Sequence, residues 1–253
     1  MKKLLVAFLF SLTPFAALAA GGPSIPLDHV ELDMSDTESL QRGAQLYMNF
    51  CMGCHSLEYG RYNRIAKDLD IPEEIFMDNL VFTDAKFGDL MENAIPAKQA
   101  KEWFGAAPPD LTLLTKLKGG SDWLYTYLRG FYADDSRPYG VNNTVFKDVG
   151  MPHVLIELQG LCADKPEPTG DAKYDPLTGK VMSSGGCNSY VVEGSMSKAE
   201  YDGAARDLVN FLSYMADPAQ QQRHRLGWLV IAFLVIFYAV SALYVRELKK
   251  DIH

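Results

Sequence analysis

The chain is 253 residues long and carries 32 acidic against 24 basic side chains, a formal net charge of −8. A surface of that sign argues against nucleic acid as a partner and favours a basic protein. About two hundred residues between two apolar terminal segments suffice for one domain with its own core or for two small ones, and no internal repeat is visible.

The first segment, residues 1–19, reads as a secretory signal peptide. Lys2 and Lys3 precede an apolar run broken by Pro14, and Ala17-Leu18-Ala19 supplies the small-residue cleavage pattern. Its core of about 12 residues is short of the roughly 20 that span a bilayer, so the mature chain is expected to begin outside the cytoplasm. Next, Ser35-Asp36-Thr37-Glu38 has the pattern of a capping box. The helix it opens puts Leu40, Ala44, Tyr47 and Cys51 on one face, and Gly43 beside that stripe would let another helix approach closely.

This helix runs into Cys51-Met52-Gly53-Cys54-His55. Three chemistries use two cysteines and a histidine so placed: a reversible dithiol, a zinc site, and a haem joined covalently to both sulfurs. The spacing fits c-type haem attachment, in which two thiols add across the haem vinyl groups and the adjacent histidine reaches the iron. Zinc would need two more ligands with similar local pairing, and neither Cys162 nor Cys187 has one. A thioredoxin-like dithiol expects a βαβ context that is absent from the sequence. Cys51, Cys54 and His55 are therefore the candidates to hold one haem c, with His55 on the iron.

His55 leaves the opposite side of the iron to another residue. His224 and His253 flank the second apolar segment and are too remote, Met52 lies inside the attachment loop, and Met48 and Met215 fall on predicted helices as packing residues. Met151, between Gly150 and Pro152 in an irregular stretch, can present its thioether sideways, and His153 is the other loop candidate. The residues alone leave both open.

Farther on, Cys162 and Cys187 bracket a stretch rich in Pro, Gly and acidic residues that reads as an inserted loop. Outside the cytoplasm the pair is expected to form a disulfide, with about 3–4 kcal/mol of stabilisation in the chain-entropy picture. A second capping box, Ser197-Lys198-Ala199-Glu200, opens a helix whose Tyr201, Ala205, Leu208, Leu212 and Met215 form a stripe before Pro218 stops it. The two striped helices are expected to pack on each other. Leu226 to Val245 then runs without a charge. At 1.5 Å per residue it matches a hydrocarbon layer of about 30 Å, with Trp228 and Tyr244 suited to the two interfaces. With the N-terminus exported and one span, the tail at 246–253 is expected in the cytoplasm.

Several stretches taken in order resemble the cytochrome c1 family: "SLQRGAQLY" ahead of Cys51, "AAPPDLTLLTKLKGGSDWLYTYLRGFY", Gly150-Met151-Pro152, and "MADPAQQQRHRLGW" leading straight into the span. That family is the haem subunit of ubiquinol–cytochrome c oxidoreductase, the bc1 complex. The resemblance implies a mainly α fold: a cytochrome c-like haem domain over 20–222 with long irregular loops, an insertion at 162–187, and one C-terminal transmembrane helix over 226–245. It implies Met151 as the distal ligand, leaving His153 an accessory residue. A carbonyl of the Pro108-Pro109-Asp110-Leu111 turn would accept the hydrogen bond from the His55 ring, which makes Pro109 a site residue. Lys116 and Lys118 stand where relatives often carry an arginine that can meet a haem propionate. By the resemblance Lys118 would take that role here, although lysine lacks the bidentate fork. Trp123 either lines the pocket or packs in the core. The segment before Met151 lacks the Phe-Pro-Gly of mitochondrial relatives, so the loop path there is its own.

By the same resemblance the chain would sit in a bacterial inner membrane with its haem domain in the periplasm, beside cytochrome b. It would take one electron from a Rieske iron–sulfur protein and pass it to a soluble basic c-type cytochrome. The rival readings are a membrane-anchored c-type subunit of another respiratory complex, a tethered thiol oxidoreductase, and a haem-based sensor.

Overall fold

The computed structural model describes residues 25–117, 119–168, 173–174, 181–182 and 186–250. The expected signal peptide and Lys118 lie outside the described residues. Helix α1 (Thr37–Phe50) starts one residue later than the capping-box pattern places it. The cap is Asp36, whose carboxylate accepts from the Ser39 N–H at 3.0 Å. Ser35 is drawn the other way, its N–H and hydroxyl both bonding Asp33 Oδ1, so it cannot turn toward the helix.

After α1 come β1 (Leu57–Arg61), α2 (Tyr62–Asp68), α3 (Glu73–Leu80), β2 (Leu90–Met91), α4 (Ala97–Phe104), a 3₁₀ turn (Leu114–Lys116) and α5 (Gly120–Arg129). The chain continues through β3 (Phe131–Ala133), β4 (Val141–Asn143), α6 (Ile156–Gln159), β5 (Gly160–Cys162), β6 (Lys173–Tyr174), β7 (Val181–Met182) and β8 (Tyr190–Glu193). It ends with α7 (Lys198–Ala216) and α8 (Gln220–Lys250). The architecture is mainly α, as expected.

Helices α1 and α7 form the centre of the core. Leu40, Ala44 and Tyr47 from one, and Tyr201, Ala205, Leu208 and Leu212 from the other, are all buried. Gly43 is what lets them touch: a Cβ there would lie 2.1 Å from the Asp207 carbonyl oxygen and 2.7 Å from the Phe211 Cβ. Around that contact Asp207 accepts from the Ser39 hydroxyl at 2.7 Å and from Arg42 Nε at 2.6 Å. The expected Ser197–Glu200 capping box is present at the start of α7, which ends at Ala216, two residues before Pro218.

Helix α5 packs on the same helix, its Leu128 carbonyl accepting from the Tyr201 hydroxyl at 2.8 Å. At its end the buried Arg129 reaches Asp28 at 2.8 Å and Asp202 at 2.5 Å and lies over the Tyr125 ring. That cluster ties the N-terminal segment to α5 and α7, and removing one partner would leave a buried charge uncompensated.

The loops also carry short strands. Between α5 and α7 the chain builds a four-stranded sheet in the order β4-β3-β5-β8, with β3 and β5 parallel and the other pairs antiparallel. Its strands are three or four residues long, too short for a period of two to stand out from the sequence. Cys162 at the end of β5 is bonded to Cys187, with Cα atoms 5.5 Å apart, so the expected disulfide closes the inserted segment at the base of this sheet. Helix α8 runs 31 residues, its apolar window uncovered by the rest of the chain, and contains the expected span.

Candidate functional site

The paired cysteines follow directly on the last turn of α1, with Cys51 as its C-cap. The Cys51 N–H still bonds the Tyr47 carbonyl at 2.8 Å, and the Cys54 and His55 N–H groups both return to the Cys51 carbonyl, at 3.0 and 2.9 Å. The motif is thus a tight turn continuing the helix, braced by the Tyr47 hydroxyl, which donates to the His55 carbonyl at 2.6 Å. Cys51 is buried, Cys54 is half-buried, and both are free thiols.

The Pro108–Leu111 turn is stitched alongside. Asp110 uses both carboxylate oxygens, one on the Thr112 N–H at 2.9 Å and one on the Glu58 N–H at 2.7 Å, and the Leu111 N–H bonds the Ser56 carbonyl at 3.0 Å. Asn93 adds a strut from its Nδ2 to the Cys54 carbonyl at 3.0 Å. The turn brings the Pro109 carbonyl to 2.8 Å from His55 Nδ1. A carbonyl only accepts, so Nδ1 carries the hydrogen and Nε2 keeps its lone pair. Burial also lowers the His55 pKa, with the Pro109 bond opposing, which favours the neutral ring a metal requires.

Burial pushes the Cys51 thiol up to about 12, with Cys54 a lesser cause. A redox-active dithiol needs the opposite, a lowered thiol pKa that yields thiolate near neutrality. The remaining cysteines are bonded to each other and are not free to complete a zinc site. Two unpaired thiols at the end of a helix and an oriented imidazole suit a covalently held haem: the sulfurs can attach it and Nε2 can reach its iron.

Met151 reaches its position by a separate route. Strand β4 ends in two buried asparagines that organise the following loop. Asn143 accepts from the Val145 N–H and donates to the Tyr127 carbonyl at 2.8 Å, while Asn142 accepts from the Asp148 N–H at 2.9 Å. Asp148 has φ of 62°, and its carbonyl is held by the Arg137 guanidinium at 2.9 Å. Val149 is buried beyond it, and half-buried Met151 receives the Tyr127 hydroxyl at 3.4 Å from its sulfur.

His153 is occupied otherwise. It is buried, its Nε2–H donates to the Gly160 carbonyl at 3.1 Å, and its ring lies on Phe131 with centroids 4.7 Å apart and planes 8° from parallel. Met48 and Met215 are buried packing residues. Trp123 stacks on Tyr127 at 5.0 Å. Lys116 points its ammonium toward Asp217 at 3.9 Å, at the end of α7. Lys118 lies outside the described residues.

Cys51, Cys54, His55 and Pro109 are therefore gathered in one network, and Met151 is held in a loop built for it. Tyr47, Asn93, Asn142 and Tyr127 support these groups and were not singled out from the sequence. In the sequence Tyr47 is marked only as part of the apolar stripe, and the signal that could have found Tyr127 is its place between Trp123 and Phe131 at helical spacing. An open cleft beside Cys54 is bordered by Glu58, Glu92 and Asp110.

The family model described as Cytochrome C1 family matches residues 29–252. The chain is similar to cytochrome c1 of Allochromatium vinosum, 47% identical over 253 residues that cover 100% of both chains. It is similar to the ammonia monooxygenase gamma subunit of Nitrosomonas europaea, 39% identical over 100% of this chain and 99% of that one. It is also similar to cytochrome c1 of Blastochloris viridis, 29% identical over 86% of this chain and 83% of the relative.

Proposed function

This chain belongs to the Cytochrome C1 family, and from that premise we propose that it is the one-electron relay of a bc1 complex, holding a single haem c through Cys51 and Cys54. The observation that carries the reading is the turn at the end of α1, with two free thiols and an imidazole oriented by the Pro109 carbonyl at 2.8 Å. The haem, when bound, supplies the ferric–ferrous couple.

The chain's own residues do the rest. His55 would supply Nε2 to the iron, and the Pro109 carbonyl fixes the ring and its tautomer, which raises the basicity of Nε2. Met151 would offer the iron a neutral thioether, which would favour the reduced state. Lys118, assigned by family resemblance alone, would offer its charge to a propionate. No bond is made or broken in such a relay, so position, potential and docking surface are the protein's contributions.

The electron comes from a Rieske iron–sulfur protein and leaves to a soluble basic c-type cytochrome. Glu58, Glu92 and Asp110 at the cleft beside Cys54 support a cationic acceptor, since complementary charge speeds encounter. Residues 1–19 export the haem domain, residues 20–222, to the periplasm of a bacterial inner membrane. The span at 226–245 anchors it beside cytochrome b, and residues 246–253 face the cytoplasm.

The 39% identity to a protein named as an ammonia monooxygenase subunit favours one second reading, a membrane-anchored c-type subunit of another oxidoreductase. The proteins that co-purify with the native chain separate the two.

The haem assignment is tested on the purified full chain by a reduced-minus-oxidised spectrum with a pyridine haemochrome assay. A haem that stays with the polypeptide after denaturation, and is lost from Cys51→Ser with Cys54→Ser, is the expected result. A colourless wild-type chain, or haem extracted by acid acetone, overturns it.

A further inference from the structure

We infer that Tyr127 is a positioning residue for the redox site, raising its potential by donating the phenolic hydrogen to the thioether sulfur of Met151. The inference rests on reading Met151 as the sixth ligand. The hydroxyl lies 3.4 Å from that sulfur, and among the described hydrogen bonds this is the partner it has. A thioether sulfur has two lone pairs, so one can serve a metal while the other takes a hydrogen bond.

The ring is not free to swing aside. It is 8% exposed, stacked on Trp123 with planes 15° apart at 5.0 Å, and edge-on to Phe131 at 5.3 Å. Its backbone carbonyl is held at 2.8 Å by Asn143, whose Oδ1 also accepts from the Val145 N–H in the loop that leads to Met151. The residue that presents the hydroxyl and the loop that presents the sulfur are therefore fixed by one side chain.

Two effects of this contact have the same sign. A sulfur sharing density with a proton donates less to iron, which disfavours the ferric form more than the ferrous. The positive end of the O–H dipole also faces the site and opposes a gain of positive charge there. A tyrosine that only filled space would do neither, since phenylalanine fills the same space.

The test uses the full-length haem-loaded protein and compares Tyr127→Phe, Tyr127→Leu and Met151→Leu with the wild type. It reads the midpoint potential, the far-red methionine–iron charge-transfer band, displacement of the ligand from the ferric form by imidazole, and carbon monoxide binding to the ferrous form. Tyr127→Phe is expected to keep the band and its inertness to carbon monoxide while lowering the potential. The ferric-to-ferrous ratio at fixed poise should rise several-fold, short of the tenfold that corresponds to about 59 mV for one electron. Its ferric form should resist imidazole more strongly than the wild type. Tyr127→Leu, which loses ring and hydroxyl together, should shift the potential in the same direction.

An unchanged or raised potential in Tyr127→Phe overturns the inference, as does easier displacement by imidazole or new carbon monoxide binding. Met151→Leu tells this failure apart from failure of the ligand reading. If that variant loses the band and binds carbon monoxide while Tyr127→Phe is silent, only the inference falls. If Met151→Leu itself changes nothing, the ligand reading falls and takes the inference with it.

Discussion

At position 153 an imidazole sits in a site whose burial disfavours a second proton. Its Nε2–H is given to Gly160, one face lies on Phe131, and burial pushes its pKa down to about 4. A base with a depressed folded pKa costs nothing above its unfolded value of about 6.5. It destabilises the fold as the pH drops from there toward about 4, because the unfolded chain takes up a proton that the native state refuses. A shift of this size amounts to roughly 3 kcal/mol when fully developed. The thermal midpoint of the wild type is expected to fall between pH 6.5 and 4, and His153→Leu should flatten that part of the profile in calorimetry. The same environment explains why the local string could not choose between Met151 and His153. Both stand in one Gly-Met-Pro-His run, and what commits the histidine, the Gly160 carbonyl and the Phe131 face, arrives from β5 and β3. Cys51, Cys54 and His55 could be proposed from the sequence because the spacing that suggests their chemistry is contained in five consecutive residues. Pro109 became visible only through family resemblance, since a carbonyl role leaves no mark on side-chain identity.

Among the elements, α1 and α7 were readable because caps and apolar stripes at helical spacing are local signals, and Gly43 marked their crossing. Gly43→Ala is expected to gain about 1 kcal/mol of helix propensity and lose more than that to overpacking, since its Cβ would meet the Asp207 carbonyl at 2.1 Å. Both helix backbones would have to part, so we expect a net loss of roughly 1–3 kcal/mol, measured as a lower thermal midpoint with the haem still attached. The sheet was not readable, because three-residue strands are defined by their partners rather than by their own pattern. Its consequence for the site lies in β4. Asn142 is 4% exposed and takes the N–H of Asp148, a residue at φ 62° three positions ahead of Met151. Asn142→Ala leaves that N–H without its acceptor and lets the left-handed turn relax, at a cost of about 1–3 kcal/mol. The ferrous protein should then bind carbon monoxide measurably.

For the whole molecule, the anchor and the charge set the terms of encounter. A 31-residue helix at 1.5 Å per residue extends about 46 Å, so it can cross the membrane and still hold the haem domain near the surface. On the proposed function, diffusion of a basic soluble partner toward that domain would be biased by the excess of acidic residues, most locally where Glu58 and Glu92 border the cleft beside Cys54. Asp110 borders the same cleft but is spent on backbone N–H groups, so changing it would disturb the Pro109 turn as well as the charge. The informative variant is therefore Glu58→Lys with Glu92→Lys, which reverses two exposed charges and leaves the turn intact. With a basic c-type cytochrome in excess, its second-order rate of electron transfer should drop about tenfold or more at low ionic strength, where charge reaches far. The gap should close as salt is raised and the Debye length shrinks to about 3 Å at 1 M. A rate insensitive to both substitutions and salt would place the docking surface elsewhere on the domain.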